Sequence, residues 1–210
     1  AKHLYGRDCS IQRRSQKLIE EGPITIAPKK IQEEMYQAAV LLAETMCYKG
    51  VGTAEFLYNP QDNTYTFLEI NPRLQVEHII TELLLTLNLP AIQMAIYEGR
   101  LLSEIPSLTV IEPPQNIHIM STRINAENPY NGFQPSCGKI ESIEFTTVPN
   151  SWAYFCIGKH STIVSDADSQ IGHMFAIGKN RTEAMDKLYR MLNYLHISGT
   201  IFNTGKFIKN

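Results

Sequence analysis

Between Lys30 and Tyr48, apolar residues recur at Ile31, Met35, Ala38, Ala39, Leu42 and Met46, a spacing that lays one apolar stripe along a helix. Ala27-Pro28 supplies the start, because proline's missing N–H costs nothing in a first turn, and Gly50 ends the segment. The period then changes. Gly52–Tyr58 and Thr64–Ile70 read as two strands flanking the turn cluster Asn59-Pro60-Gln61-Asp62-Asn63, which predicts a β-hairpin. Asn71-Pro72 breaks the second strand. His78–Glu98 returns to helical spacing, with an interruption near Asn88-Leu89-Pro90, a restart after Pro90 and a stop at Gly99. Ahead of all this, residues 2–5 and 9–11 read as short strands broken at Gly6, followed by the basic polar stretch Gln12–Lys17.

Residues 103–116, rich in proline and polar side chains, predict a linker. Beyond it, Ile117–Asn125 and Lys139–Phe145 alternate as strands. Trp152–Ile157 and Met174–Ile177 are further strand candidates. Arg181–Leu195 has the apolar spacing of an amphipathic helix, with Asn180 or Thr182 as its cap. Strands followed by a helix make the fold class α+β, with two domains expected at 1–105 and 112–210.

Composition narrows the function. The 210 residues are 43% hydrophobic, enough for a core, and the net charge of −2 argues against broad nucleic-acid binding. No apolar run approaches the ~20 residues of a membrane span. Cys9, Cys47, Cys137 and Cys156 are scattered without a CxxC pair, so neither a disulfide framework nor a zinc site is expected. The chain opens without Met or a signal segment, on strand-like residues, and reads as a cut inside a larger protein.

The hairpin carries the most chemistry. Glu69 and Asn71 share a face of the second strand, and a turn that sets Glu55 opposite Glu69 would converge three oxygen donors. Hard divalent cations such as Mg²⁺ take a few such oxygens together with substrate phosphates. The alternative is two glutamates solvated on an exposed sheet face. Arg73, Gln75 and Glu77 follow at alternate positions of what reads as one extended stretch, where they would face one cavity. Arginine offers a planar fork to an anion such as bicarbonate, and a neighbouring glutamate could serve as general base. A surface ladder of ion pairs is the bland reading. Arg13, Arg14 and Lys17 form the one dense basic cluster. Lys17 could meet a phosphate or bicarbonate, or the cluster could be a solvated face. His118, His160 and His173 have no metal-ligand spacing and read as structural.

Four blocks resemble the biotin carboxylase family: Arg7–Glu21, Phe67–His78, Arg123–Gly138, and Asp168–His173 with Gly178–Ala184. They extend over essentially the whole chain in family order. Asn71-Pro-Arg-Leu-Gln-Val-Glu-His78, Trp152-Ala-Tyr-Phe155 and Asp168-Ser-Gln-Ile-Gly-His173 look most like the eukaryotic-type acetyl-CoA carboxylases. The resemblance implies the C-terminal portion of an ATP-grasp domain followed by the small biotin carboxylase C-terminal domain. It implies ATP-dependent carboxylation of carrier-bound biotin with bicarbonate, through carboxyphosphate. Glu55, Glu69 and Asn71 would hold two Mg²⁺ or Mn²⁺ ions, and Gln12, Glu55 and Glu69 would meet ATP. Glu77 would be the general base. Arg73 would bind bicarbonate and steady the biotin enolate, helped by Gln75, the backbone of Val76, and Lys17. The implied partners are a biotin carboxyl carrier domain and a carboxyltransferase domain of the same parent chain, in a homo-oligomer, without nucleic acid or a membrane span.

The resemblance also implies a cytoplasmic enzyme, with an organellar copy left open. The glycine-rich lid over ATP lies upstream in the family, so the 210 residues alone are expected to be inactive. Ser15 departs from a histidine usual in relatives, and Ile79 from a proline. The active-site arginine that bacterial relatives carry in their C-terminal domain has no counterpart at Ser151–Phe155. A pyruvate, propionyl-CoA or urea carboxylase would use the same chemistry. A non-catalytic module for regulation or assembly is the alternative of another class, against which the joint presence of Glu55, Glu69, Asn71, Arg73 and Glu77 speaks.

Overall fold

The computed structural model describes residues 1–13, 16–112, 114–164, 166 and 168–209. Its elements run β1 (Asp8–Arg13), β2 (Gln16–Gly22), α1 (Lys29–Thr45), β3 (Thr53–Asn59), β4 (Thr64–Asn71), α2 (His78–Leu85) and α3 (Leu89–Tyr97). Then come β5 (His118–Asn125), β6 (Glu127–Asn128), β7 (Gln134–Pro135), β8 (Gly138–Glu144), β9 (Ser151–Phe155) and β10 (Thr162–Ile163). The chain closes with β11 (Gln170–Gly178), α4 (Arg181–Tyr194), β12 (His196–Gly199) and α5 (Gly205–Lys209). The class is α+β, as the pattern of periods predicts. Two compact units result, one of residues 1–8 with 22–115, the other of 9–21 with 116–210.

In the first unit, α1 starts where Pro28 allows, and its Gln32 side chain folds back onto the carbonyl of Ala27 at 2.7 Å. Of the stripe read from the sequence only Met35 is buried, while Met46 lies beyond the helix end and is exposed. The hairpin β3–β4 forms with Glu55 opposite Glu69 and Thr53 opposite Asn71, and the register shifts between Glu55 and Phe56. That shift leaves Leu68 as the extra residue of a β-bulge. Phe56, Tyr65 and Phe67 meet edge to face, while Glu55, Glu69 and Asn71 share a face. The helical run 78–98 is divided as expected. Thr86 adopts a left-handed conformation and closes α2, and the Asn88 side chain caps α3 by accepting from the Ala91 N–H at 2.8 Å. Leu89, Ile92, Ile105 and Leu108 form one buried apolar cluster of this unit. Residues 2–5 are not a strand. Their aromatic rings dock on α1, with His3 stacked on Tyr36 at 4.9 Å, and Tyr5 turns the chain at φ 59°. Ring packing there replaces the extended pairing that the alternation suggested.

The second unit is built on the sheet β1-β2-β5-β11-β9. Of the basic polar stretch, Gln12 and Arg13 end β1, and Gln16 and Lys17 open β2. Strand β11 lies between β5 and β9 and is buried almost throughout, so apolar residues occupy both of its faces, with His173 buried among them. Met174 and Ala176 pack with Ala184, Leu188 and Met191 of α4 in the main core. On the alternate positions, Phe175 stacks on Trp152 at 5.2 Å and lies 4.2 Å from the His173 ring. Asn180 caps α4 by accepting from the Glu183 N–H at 2.9 Å. A smaller sheet, β10-β8-β12, completes the unit. Among the described residues no single helix is long and apolar enough to cross a membrane, and α2 and α3 meet at 98°.

Candidate functional site

The hairpin register sets two carboxylates against each other. Like charges directly opposite on a sheet face repel unless something lies between them. Here Asn71 supplies it: its Nδ2 donates to Glu69 Oε1 at 2.8 Å and to Glu55 Oε1 at 3.1 Å. Gln75 Nε2 adds a donor to Glu55 Oε1 at 2.7 Å. Two facing carboxylates and an amide whose oxygen is a ready ligand suit a hard divalent cation that completes its shell with phosphate oxygens and water. Glu69 is exposed and Glu55 half-buried, so the pair is open to a ligand on one side.

After Asn71 the chain does not continue as an extended stretch. Arg73 N–H closes a tight turn on the Asn71 carbonyl at 2.9 Å, a further turn forms at Val76 and Glu77, and Glu77 stands at the N-terminus of α2. Simple alternation of Arg73, Gln75 and Glu77 is therefore replaced by a divided arrangement. Arg73 is exposed, with Nη1 on the Leu74 carbonyl at 3.1 Å. Gln75 and Glu77 are buried at 6% and 2% exposure, and Val76 between them is exposed. The structure brings Glu55, Glu69, Asn71 and Gln75 into one hydrogen-bonded group. Ile79, where relatives carry proline, sits in the first turn of α2, a position either residue fills without cost.

Gln12 and Lys17 belong to the second unit. Gln12 is exposed on β1 and bonds the Cys9 carbonyl at 2.8 Å, and Lys17 is half-buried on β2. Arg14 and Ser15 lie outside the described residues. Arg13 is no solvated cation: it is ion-paired with Glu127 and its guanidinium lies 4.0 Å over the Phe133 ring. Four cysteines are free.

Two arginines stand out that no sequence pattern marked, beyond their places at the head of two of the matched blocks. Arg7 donates from Nη1 to Thr81 Oγ1 at 2.6 Å and from Nη2 to Gln75 Oε1 at 3.1 Å and Thr53 Oγ1 at 3.3 Å. Arg123, on β5, donates from Nε to Glu20 Oε1 at 2.6 Å. Burial alone would raise the Glu20 carboxyl. The hydrogen bond from His173, the Arg123 charge and the Ser121 hydroxyl outweigh it and hold the group at about 2. Glu21 is likewise held low against its burial, by His118 at 2.7 Å and a forked pair with Arg181. His118 and His173 thus brace carboxylates, the structural role their isolation in sequence suggested.

Comparison with known proteins identifies the family. Residues 1–105, half of the chain, match the carbamoyl-phosphate synthase L chain, ATP binding domain. Residues 121–210 match the biotin carboxylase C-terminal domain. The chain belongs to the ATP-grasp family defined by that ATP-binding domain, in the form joined to a biotin carboxylase C-terminal domain. Within it, the chain resembles the acetyl-CoA carboxylases of eukaryotes. It is 42% identical to the mitochondrial acetyl-CoA carboxylase of Saccharomyces cerevisiae over 93% of its own length, and spans 9% of that protein's length. It superimposes with a TM-score of 0.88 on the biotin carboxylase–β,γ-ATP complex from Campylobacter jejuni, at 33% identity, covering 99% of this chain and 45% of that one. It superimposes with a TM-score of 0.89 on the biotin carboxylase domain of Hydrogenobacter thermophilus 2-oxoglutarate carboxylase, solved with MgADP, ADP and bicarbonate, at 30% identity over 99% of this chain and 45% of that one. Both parts of the resemblance read from the four sequence blocks, the family and the fold, are borne out.

Proposed function

We propose that this chain is part of the biotin carboxylase of an acetyl-CoA carboxylase, which uses ATP and bicarbonate to carboxylate biotin on a carrier domain. The observation that carries the reading is the hairpin register, which sets Glu55 opposite Glu69 with the Asn71 amide between them. Glu55, Glu69 and Asn71 would hold two Mg²⁺ or Mn²⁺ ions, with Glu55, Glu69 and Gln12 meeting ATP. Cations held there would offset the charge that develops on phosphoryl transfer. Glu77, buried at the start of α2, takes the bicarbonate proton as oxygen attacks the γ-phosphorus and ADP leaves. Arg73 binds bicarbonate as a planar fork and later steadies the biotin enolate, while Gln75, the backbone of Val76, and Lys17 complete the anion pocket. Carboxyphosphate then releases CO₂ and inorganic phosphate, and the phosphate takes the N1 proton of biotin as CO₂ bonds to N1.

The relatives are parts of larger multidomain carboxylases. The carrier and carboxyltransferase domains are proposed for the same parent chain, in a homo-oligomer, and the domain division as 1–105 and 112–210. The cytoplasm is the proposed compartment, and the mitochondrial relative keeps an organellar copy in play. Glu77→Gln in the full-length parent tests the reading. Loss of bicarbonate-dependent ATP cleavage by about 10²–10⁴-fold is expected for a general base. Unchanged carboxylation removes Glu77 from that role.

A further inference from the structure

We infer that Arg7 is a positioning residue of this site, which fixes the Gln75 amide so that its NH₂ group faces Glu55. An amide side chain has a donor end and an acceptor end of nearly equal shape, so its orientation is decided by its neighbours. For Gln75 the neighbours are opposite in kind. Oε1 meets Arg7 Nη2 at 3.1 Å, and Nε2 meets Glu55 Oε1 at 2.7 Å. Arginine has only donors and an ionised carboxylate only acceptors, so the turned-over amide would place NH₂ against guanidinium and oxygen against carboxylate, losing both bonds.

Arg7 is suited to this task because, among the described residues, no carboxylate pairs with it. Its three hydrogen bonds go to the hydroxyls of Thr81 and Thr53 and to the Gln75 amide, all neutral, and Nε is buried without a partner among the described residues. Thr53 stands opposite Asn71 on the hairpin, and Thr81 is buried in α2. The guanidinium fork therefore ties the two elements that frame Glu55 and Gln75. A lysine keeps the charge but cannot reach three acceptors in those directions from one nitrogen. The inference rests on the proposed function only in naming bicarbonate as the anion that Gln75 meets.

The test is a double-mutant cycle in the full-length parent carboxylase, reading KM for bicarbonate and kcat of ATP cleavage, with thermal melting as a check of folding. Arg7→Met is expected to raise the bicarbonate KM about tenfold, the weight of one charge-assisted hydrogen bond, with kcat changed less than about threefold. Arg7→Lys is expected to restore melting but not KM. In a Gln75→Ala background, Arg7→Met is expected to add nothing, because its effect passes through the amide. An equal rise in KM in both backgrounds, or no rise in either, overturns the inference. If Arg7→Met does not fold, the same cycle is read on Arg7→Lys. The wild-type parent runs alongside: absence of bicarbonate-dependent ATP cleavage there defeats the carboxylase reading, whereas an active wild type with neutral Arg7 variants defeats only the role of Arg7.

Discussion

Glu20 has no exposed surface, yet its carboxyl is held at about 2. A carboxylate with a folded pKa below its ordinary value near 4.5 contributes stability that is complete above 4.5 and is lost as pH falls toward 2. The shift corresponds to roughly 3 kcal/mol at neutral pH. We expect Glu20→Gln to unfold at lower urea and to lose the acid-limb slope between about pH 5 and pH 3, because Arg123 and His173 are left without their carboxylate. Urea midpoints measured across that range check this, and a mutant curve parallel to wild type would refute it. At this scale the sequence was legible where chemistry and period coincide. Glu69 sat in an apolar strand two residues from Asn71, and that offset alone put them on one face. Arg7 and Glu20 were not legible, since their meaning comes from partners 68 and 103 residues away.

Caps decide where the short helices stop. Thr86 ends α2 at φ 54°, a left-handed position in which a β-branched side chain crowds its own backbone. Thr86→Gly is expected to stabilise the chain by roughly 0.5–1 kcal/mol, the left-handed strain relieved less the added freedom of the unfolded glycine. Asn180→Ala at the start of α4 is expected to cost about 1 kcal/mol. Differential scanning calorimetry of both variants reads the two signs together. The boundaries of α3 and α4 were readable because Asn-x-Pro and Asn-Arg-Thr-Glu announce a start locally. The middle of β1 was readable at residues 9–11, but β2 was not, because it opens on the polar Gln16 and Lys17 and acquires its strand character only from the sheet it joins.

On the scale of the whole chain, each unit carries its own core, so damage should stay local. Phe175 is fully buried between the Trp152 and His173 rings. Phe175→Ala is expected to cost about 3–5 kcal/mol, a large share of a domain's total stability. Limited proteolysis should then cut residues 116–210 first, and simultaneous loss of both units would contradict it. The chain covers 45% of the Campylobacter biotin carboxylase. The isolated 210 residues are expected to show no bicarbonate-dependent ATP cleavage in a coupled assay, and robust turnover would refute that. Fold class was readable at this scale from the change of period along the chain. The interleaving of residues 9–21 with the second unit was not, because a chain that crosses and returns leaves no local mark.

The bulge at Leu68 bears on how such a hairpin can be inherited. On its inner side, Thr53, Ala54 and Glu55 keep their partners, and on its outer side the strands follow a different offset to the turn. Removal of Leu68 would merge the two offsets and still leave Glu55 facing Glu69. A lineage can therefore lengthen or shorten this arm by one residue at that point while the opposed carboxylates stay in place. The number of residues separating them is free to drift; their confrontation is not.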